Sequence, residues 1–246
     1  MTLLTIVQDA AVRCGWQNVP TSAIGNAGTD ALNIQQMIAF AQDTGRDILE
    51  RANWTGLDRA ATITGDGTTT LFTLPADWSR FNPGDKAPNS PLISSKYPLT
   101  PLYGPVNAEE LNALKALPAS TVRPLWRMIG KSLEIWPALS SGEIVTFNYF
   151  SDYWILAVNG TTRRNRWVAD TDTALFDEDM VMKGVTYRWL MSKGLDYAEQ
   201  FRAFEMSFMR NAAQQMTERT ISTSSSLPNA WGGGFFGTIT DNTTPI

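Results

Sequence analysis

Two helices joined through a single glycine dominate the last third of this 246-residue chain. From Glu178 to Lys193, Val181, Val185 and Trp189 recur every fourth residue, so they share one helical face. Gly194 follows where a left-handed terminating residue belongs. Asp196 and Glu199 then form an Asp-x-x-Glu capping box for a second helix. Its apolar stripe is Tyr197, Phe201, Phe204, Phe208 and Ala212, at spacings of three and four. A helical hairpin with this much aromatic surface requires an apolar partner.

The opening of the chain supplies one. A first helix is predicted over about Leu3–Cys14, with Leu3, Val7, Ala10 and Cys14 on its apolar face. Cys14 is the sole cysteine, which excludes an intrachain disulfide and reads as a small core hydrophobe. After a loop carrying Pro20, Gly25 and Gly28, a second helix is predicted over about Asp30–Asn53. Its stripe is Ile34, Met37, Ile38, Ala41, Ile48, Leu49 and Ala52. Gly45 falls on that stripe, at a cost of about 1 kcal/mol relative to alanine, and marks the close approach of another helix.

Between the two helical regions the pattern changes to period two. Thr62–Thr64 and Thr69–Leu74 flank Gly65-Asp66-Gly67, a hairpin signal, and Pro75 ends the second arm. Residues 82–101 hold several prolines and read as a long, mostly irregular excursion. Asn107 and Glu110 form a capping box opening a short helix with Leu111, Leu114 and Leu117 inside. Leu125, Arg127 and Ile129 alternate with Trp126 and Met128. Gly130-Lys131 suits a two-residue turn, and Leu133 and Ile135 alternate with Glu134 and Trp136 up to Pro137. Past the Ser140-Ser141-Gly142 turn, Val145, Phe147 and Tyr149 line a third strand. Asn159-Gly160 signals a further hairpin, with Tyr153–Val158 and Arg166–Val168 as arms.

Composition narrows the function classes. The chain is 43% hydrophobic and 18% charged, as in an ordinary globular protein rather than a disordered or membrane one. Its net charge of −4 argues against a generic nucleic-acid surface. The apolar runs fall far short of the roughly 18 residues that span a membrane. Asp9 within a short apolar start argues against a signal peptide. Without that signal, the Asn-x-Thr sequons at Asn53, Asn159 and Asn242 are chance. The chain has no histidine, and so lacks the commonest general base and metal ligand.

The remaining candidate motifs have plainer explanations. Asp170, Asp172, Asp177, Glu178 and Asp179 lack the glycine and distal glutamate of a calcium loop and read as acids placed at a helix N-terminus. Gly130-Lys131-Ser132 has the ending of a phosphate-binding loop, but Leu125 stands where the leading glycine belongs and a strand follows. Glu109 and Glu110 point about 100° apart on a helix, unlike paired glycosidase acids. No catalytic set, metal site or cofactor site is recognisable.

Two features are left as candidate sites. Arg163, Arg164 and Arg166 form the only dense basic cluster, open to three readings: a grip on DNA phosphate, a partner for a neighbouring subunit's carboxylates, or a solvated hairpin tip. From Ile221 onward periodicity stops, and Ser222–Ser226, Pro228 and Gly232–Gly234 cannot build a core. Trp231, Phe235 and Phe236 within that extended tail are either anchors for pockets of another protein or incidental aromatics.

The run DTDTALFDEDMVMKGVTYRWLMSKGLDYAEQFRAFE resembles the closing helices of head-to-tail adaptor (connector) proteins of short-tailed bacteriophages. RDILERANWTGLDRAATIT leading to TLPADWSRF, and PLYGPVNAEELNALKAL, GKSLEIWPA and TFNYFSDYW, resemble the same family in the same order over roughly residues 3–215. The resemblance implies a ring, a dodecamer, beneath the portal that extends the DNA channel and docks the tail. Its implied partners are other copies of itself, the portal protein, the tail nozzle or hub, and genomic DNA passing without sequence-specific binding. No membrane is implied. The place is the head–tail junction of a virion assembled in the host cytoplasm, with no catalytic motif to carry over. The family's C-terminal tails are implicated in portal contacts, which suits Trp231, Phe235 and Phe236. In such a ring, Arg163, Arg164 and Arg166 favour intersubunit carboxylates over DNA.

The expected fold is α+β. A helical bundle is drawn from residues 1–58 and 170–220, an antiparallel β-rich domain of residues 59–169 is inserted, and residues 221–246 form an extended tail. The rival functional readings are a virion-associated peptidoglycan hydrolase, which two placed carboxylates suffice to build, and a glycan-binding tail component.

Overall fold

The first helix owes its start to two loops at once. In the computed structural model, which describes residues 2–26, 28, 30–82, 91–116 and 123–215, α1 spans Leu3–Arg13. The Thr2 hydroxyl accepts from the Thr5 amide at 3.4 Å, and the Thr5 hydroxyl accepts from the Thr2 amide at 2.8 Å. The amides of Leu3 and Leu4, which no helical turn can satisfy, donate to the carbonyls of Asp172 and Asp170 at 2.8 and 3.1 Å. The chain's beginning is thereby tied to the lead-in of its closing helices.

Helix α2 (Ala31–Arg51) buries Ile34, Met37, Ala41, Thr44, Gly45, Ile48 and Leu49. A 3-10 turn (Thr55–Leu57) leads to β1 (Asp58–Thr64). Then come β2 (Leu71–Thr73), β3 (Trp78–Phe81), β4 (Leu92–Ser94) and α3 (Ala108–Lys115). The chain continues through β5 (Leu125–Ile129), β6 (Ser132–Trp136), β7 (Ile144–Ser151), β8 (Ile155–Leu156), β9 (Arg163–Arg164) and β10 (Thr173–Ala174). It closes with α4 (Glu178–Ser192) and α5 (Ala198–Gln215). The fold is α+β, with helices and antiparallel sheets.

Two main apolar clusters divide the side chains. The first gathers Leu3, Ile6 and Val7 of α1, Ile34, Met37 and Ile48 of α2, Met180, Val181 and Val185 of α4, and Phe204, Phe208 and Ala212 of α5. Phe150, Trp154, Trp167 and Phe176 plug it from the strand region. The second gathers Ile63, Leu92, Trp126, Leu133, Ile135, Val145, Phe147 and Tyr149 between the sheets. A small satellite, Val106, Leu111 and Leu125, seats α3. Arg51 ties α2 to α5. Its guanidinium donates to both Glu205 oxygens at 2.8 and 2.6 Å and lies 4.2 Å from the Phe208 ring centre.

The local signals at the ends of α3 and α4 hold. Asp177 caps α4 by accepting from the Asp179 amide at 3.2 Å, and Asn107 caps α3 by accepting from the Glu110 amide at 2.7 Å. Gly194 has φ +68°, and the Leu195 amide reaches back to the Leu190 carbonyl at 3.0 Å. At α5 the expected Asp196–Glu199 box is replaced by a shorter turn, in which the Asp196 carboxylate accepts from the Ala198 amide at 3.1 Å, two residues on.

Strand pairing departs from the expected hairpins. β1 pairs with β7, from Asp58↔Phe150 to Thr64↔Ile144, whereas β2 pairs with β6. Thr62–Thr64 and Thr69–Leu74 are therefore not two arms of one hairpin; the Gly65–Gly67 turn sends the chain from one sheet to another. The reason is that Gly65 is claimed by the 139–143 segment. Its amide donates to the Glu143 carbonyl at 2.7 Å, its carbonyl accepts from Gly142 at 2.9 Å, and a Cβ there would strike Leu139 and Ser140. β5 and β6 do form the expected hairpin, but β7 leaves them to pair with β1, β3 and β4. β4 also puts a strand inside the 82–101 excursion. The arm returning from Asn159-Gly160 is Arg163–Arg164, not Arg166–Val168.

Two apolar expectations are also corrected. The neighbour of Gly45 is the fully buried Trp154 indole, not a helix, while the close helical approach occurs where Gly184 of α4 meets the Thr44 side chain. Along the α5 stripe, Phe204, Phe208 and Ala212 are buried, but Tyr197, just before the helix, and Phe201 stay 39% and 42% exposed.

Candidate assembly surfaces

The basic hairpin is built on Asn159. Its side-chain carbonyl accepts from the Thr161 and Thr162 amides at 3.1 and 2.9 Å, and its amide donates to the Thr162 hydroxyl at 2.8 Å. This turn brings Arg163 and Arg164 back opposite Leu156 and Ile155. Arg163 donates to the Gly56 carbonyl at 3.1 Å, pinning the hairpin to the turn before β1. Arg164 pairs with Asp172 at 3.3 Å, and Asp172, only 1% exposed, also accepts from the Val168 and Ala169 amides at 2.8 and 2.9 Å. Arg166 is exposed. Gln42 of α2 holds the adjoining backbone, donating to the Asn165 carbonyl at 2.7 Å.

A charged network lies beneath the hairpin. Asp77 accepts from the Tyr149 hydroxyl at 2.9 Å and the Ser151 hydroxyl at 2.8 Å. Burial, reinforced by the Asp77 carboxylate that accepts its hydrogen bond, pushes the Tyr149 phenol up to about 12. Burial, with the negative charge of Asp77 adding to it, raises the Asp152 carboxyl above its ordinary range. Burial and the nearby positive charge of Arg59 lower the Arg163 guanidinium, against the pull of Asp77. Arg163 and Arg164 thus have intramolecular carbonyl and carboxylate partners, and Arg166 is the exposed member of the cluster. Trp231, Phe235 and Phe236 lie outside the described residues.

The acidic run is divided between tasks. Asp177, Glu178 and Asp179 open α4, whereas Asp170 grips the Ala23 and Ile24 amides at 3.0 and 2.7 Å and Asp172 organises its own loop. Among the described residues, no group of three or more acidic, Cys or His side chains is placed to hold a metal. No described helix is long and apolar enough to cross a membrane. Burial pushes the half-buried Cys14 thiol up to about 11, which favours the protonated thiol at neutral pH.

One surface escapes a reading based on periodicity. The α4–α5 connection exposes Met191, Leu195, Tyr197 and Phe201, and α5 exposes Met206 and Met209 farther along. Phe201 meets Tyr187 in a T-shaped contact, ring centres 5.3 Å apart, and stays partly exposed. Spacing alone assigned Tyr197 and Phe201 to the core; α4 is the helix that packs along α5, and Arg51 at the end of α2 lies over Phe204 and Phe208 farther along. Beside this surface, Arg13, Lys183, Thr186, Glu199, Gln200 and Ala203 line a cleft of about 310 Å³.

Comparison with known proteins gives this architecture a family. A family model described as SU10 adaptor protein matches residues 1–232. A search of curated proteins finds no match. The family match takes in the opening helices, all the strands and the closing helices in one span, so this chain belongs to the SU10 adaptor protein family and is a bacteriophage structural component.

Proposed function

We propose that this protein is the head-to-tail adaptor of a short-tailed phage, forming a dodecameric ring beneath the portal. The ring extends the DNA channel and offers the surface on which the tail nozzle or hub docks. The role is structural rather than enzymatic. The observation that carries this reading is the family match over residues 1–232, which agrees with the ordered resemblance along the sequence.

The proposed unit has three parts: a helical bundle from residues 1–58 and 170–220, an inserted β-rich domain of residues 59–169, and a tail of residues 221–246. The separate apolar clusters of helices and sheets support the first two. A ring closes when one face of each subunit meets a different face of its neighbour. The exposed Met191, Leu195, Tyr197 and Phe201 suit such a face, and the exposed Arg166 suits a neighbour's carboxylate better than Arg163 or Arg164 does. Trp231, Phe235 and Phe236 are the portal anchors. A net charge of −4 per copy lets duplex DNA slide by weak repulsion of its phosphates.

Ordering a tail costs roughly 1–2 kcal/mol per residue in backbone entropy, which a partner surface must offset. The protein is therefore a monomer alone and a ring on the portal. Electron microscopy of purified portal mixed with this protein is expected to show a stacked ring at one end of the portal. Separate portals beside monomeric protein contradict the assignment, and light scattering that finds a stable ring without portal contradicts the order of assembly.

A further inference from the structure

Two exposed apolar patches stand at opposite ends of the helical layer. One lies beside the basic hairpin and carries Val158 and Val168. The other is the α4–α5 corner, with Leu195, Tyr197 and Phe201. Two helices measure the distance between them. α1 starts at the hairpin end, where the Leu3 amide and the Val168 amide both donate to Asp172. It finishes with Arg13, which lines the cleft beside Glu199 of α5, and its 11 residues cover about 16 Å. α5 starts at the corner and ends with the Gln215 side chain on the Thr55 amide, next to the Gly56 carbonyl that holds Arg163. Its 18 residues cover about 27 Å. The patches are therefore separate surfaces of one subunit, and exposed apolar surface of this kind marks a contact with another molecule.

Each patch also carries a charge of opposite sign that its own subunit leaves open. Arg163 and Arg164 are taken up by the Gly56 carbonyl and Asp172, so Arg166, two residues before Val168, is the exposed cation of the hairpin. At the corner, Asp196 stands between Leu195 and Tyr197. Its Oδ1 accepts from the Ala198 amide, which leaves Oδ2 for a cation. Lys193 is turned away from it, with its ammonium 4.2 Å from the Trp189 ring centre and 3.1 Å from the Gln36 side-chain oxygen. Glu199, the other carboxylate of the corner, shares the cleft with Arg13 and Lys183 and has Arg202 one turn on. Asp196 is thus the carboxylate offered to a partner.

We infer that the two patches are each other's counterparts in adjacent copies: Arg166 of one subunit pairs with Asp196 of the next, and Val158 and Val168 pack against Leu195, Tyr197 and Phe201. The inference rests on the ring reading above and names both halves of its contact. A second copy is the occupant because complementary charge and apolar surface occur together on this one chain, at two separate places. A ring needs that arrangement, since a patch that matched itself would give a two-fold dimer. Ringed by apolar side chains, the ion pair is shielded from water and stronger than in open solvent. The guanidinium can also lie flat on the Tyr197 or Phe201 ring while it donates to the carboxylate.

The test uses full-length protein assembled on purified portal. Arg166→Glu or Asp196→Arg alone is expected to lower the yield of rings about tenfold, and the two together to restore it. Rings that tolerate either reversal, or a double variant that melts like wild type and still fails to assemble, overturn the pairing. A cross-link leaves both charges in place and decides the matter where Asp196→Arg, which also removes the contact to the Ala198 amide, fails to fold. In a Cys14→Ala background, Val168→Cys combined with Leu195→Cys should give a ladder of covalent multimers on a non-reducing gel after mild oxidation. The ladder is expected several-fold above each single variant and above Leu195→Cys combined with Leu71→Cys, an exposed position on β2. Rings that yield no ladder, or only bridges within one copy, overturn the pairing and leave the ring reading standing. Wild-type protein that forms no ring on portal overturns both.

Discussion

Gly45 and Gly184 let the helical core close from two sides. The indole of Trp154 occupies the space a Cβ at Gly45 would need, and the Thr44 side chain does the same at Gly184. Trp154 is fully buried and stacked against Phe176 with ring centres 5.7 Å apart, so the indole has nowhere to retreat. Gly45→Ala should therefore destabilise the protein by about 1–3 kcal/mol despite alanine's better helix propensity. The readout is a lower urea midpoint at unchanged slope, and an unchanged midpoint would mean that Trp154 has room to shift. A glycine on an otherwise apolar stripe made the close approach legible in the sequence. The identity of the occupant was not, because Trp154 lies more than a hundred residues away and only tertiary packing brings it there. The arginine cluster teaches the same lesson. Its density was readable at once, but whether each guanidinium is free depended on Gly56 and Asp172 arriving beside it.

At the scale of elements, one buried carboxylate joins a helix to a hairpin. Glu134 of β6 accepts from Lys115 of α3 at 2.7 Å and from Arg127 of β5 at 2.6 Å. Burial alone would raise its carboxyl, but the two cations prevail and hold it below the ordinary carboxylate range. A group depressed in the folded state contributes stability that is present above its unfolded value and lost as pH falls through its folded value. Thermal stability should thus fall as pH drops below the ordinary glutamate range, and Glu134→Gln should flatten that part of the curve while costing about 1–3 kcal/mol at neutral pH. A wild-type and variant pair with parallel melting curves from pH 6 to 3 would contradict this. Caps and turns were legible here because their donors and acceptors lie within a few residues, as at Asn107, Asp177 and Gly194. Sheet membership was not. Gly65-Asp66-Gly67 has ideal turn chemistry, and the Asp66 carboxylate, accepting from the Thr69 hydroxyl and the Thr68 and Thr69 amides, is held well below the usual range. The turn forms, but its flanks join different sheets, because pairing is decided by the partner strands β6 and β7.

For the whole molecule, residues 1–216 form a compact unit by themselves, and every residue named in the two main apolar clusters lies within it. Deleting residues 222–246 should leave the melting temperature and circular dichroism of the protein unchanged while abolishing its co-sedimentation with portal. Normal co-sedimentation of the truncated protein would contradict the role given to Trp231, Phe235 and Phe236. By itself, the sequence determined where helices begin and end, which face of each is apolar, that helices flank a strand-rich middle, and, through the order of its segments, the adaptor family. These follow from periodicity and from contacts a few residues long. The tertiary structure alone decided which strands share a sheet, that Tyr197 and Phe201 remain in solvent, and that Trp154 fills the notch at Gly45. Each of those depends on which distant surface reaches a residue first, and local spacing carries no information about that competition.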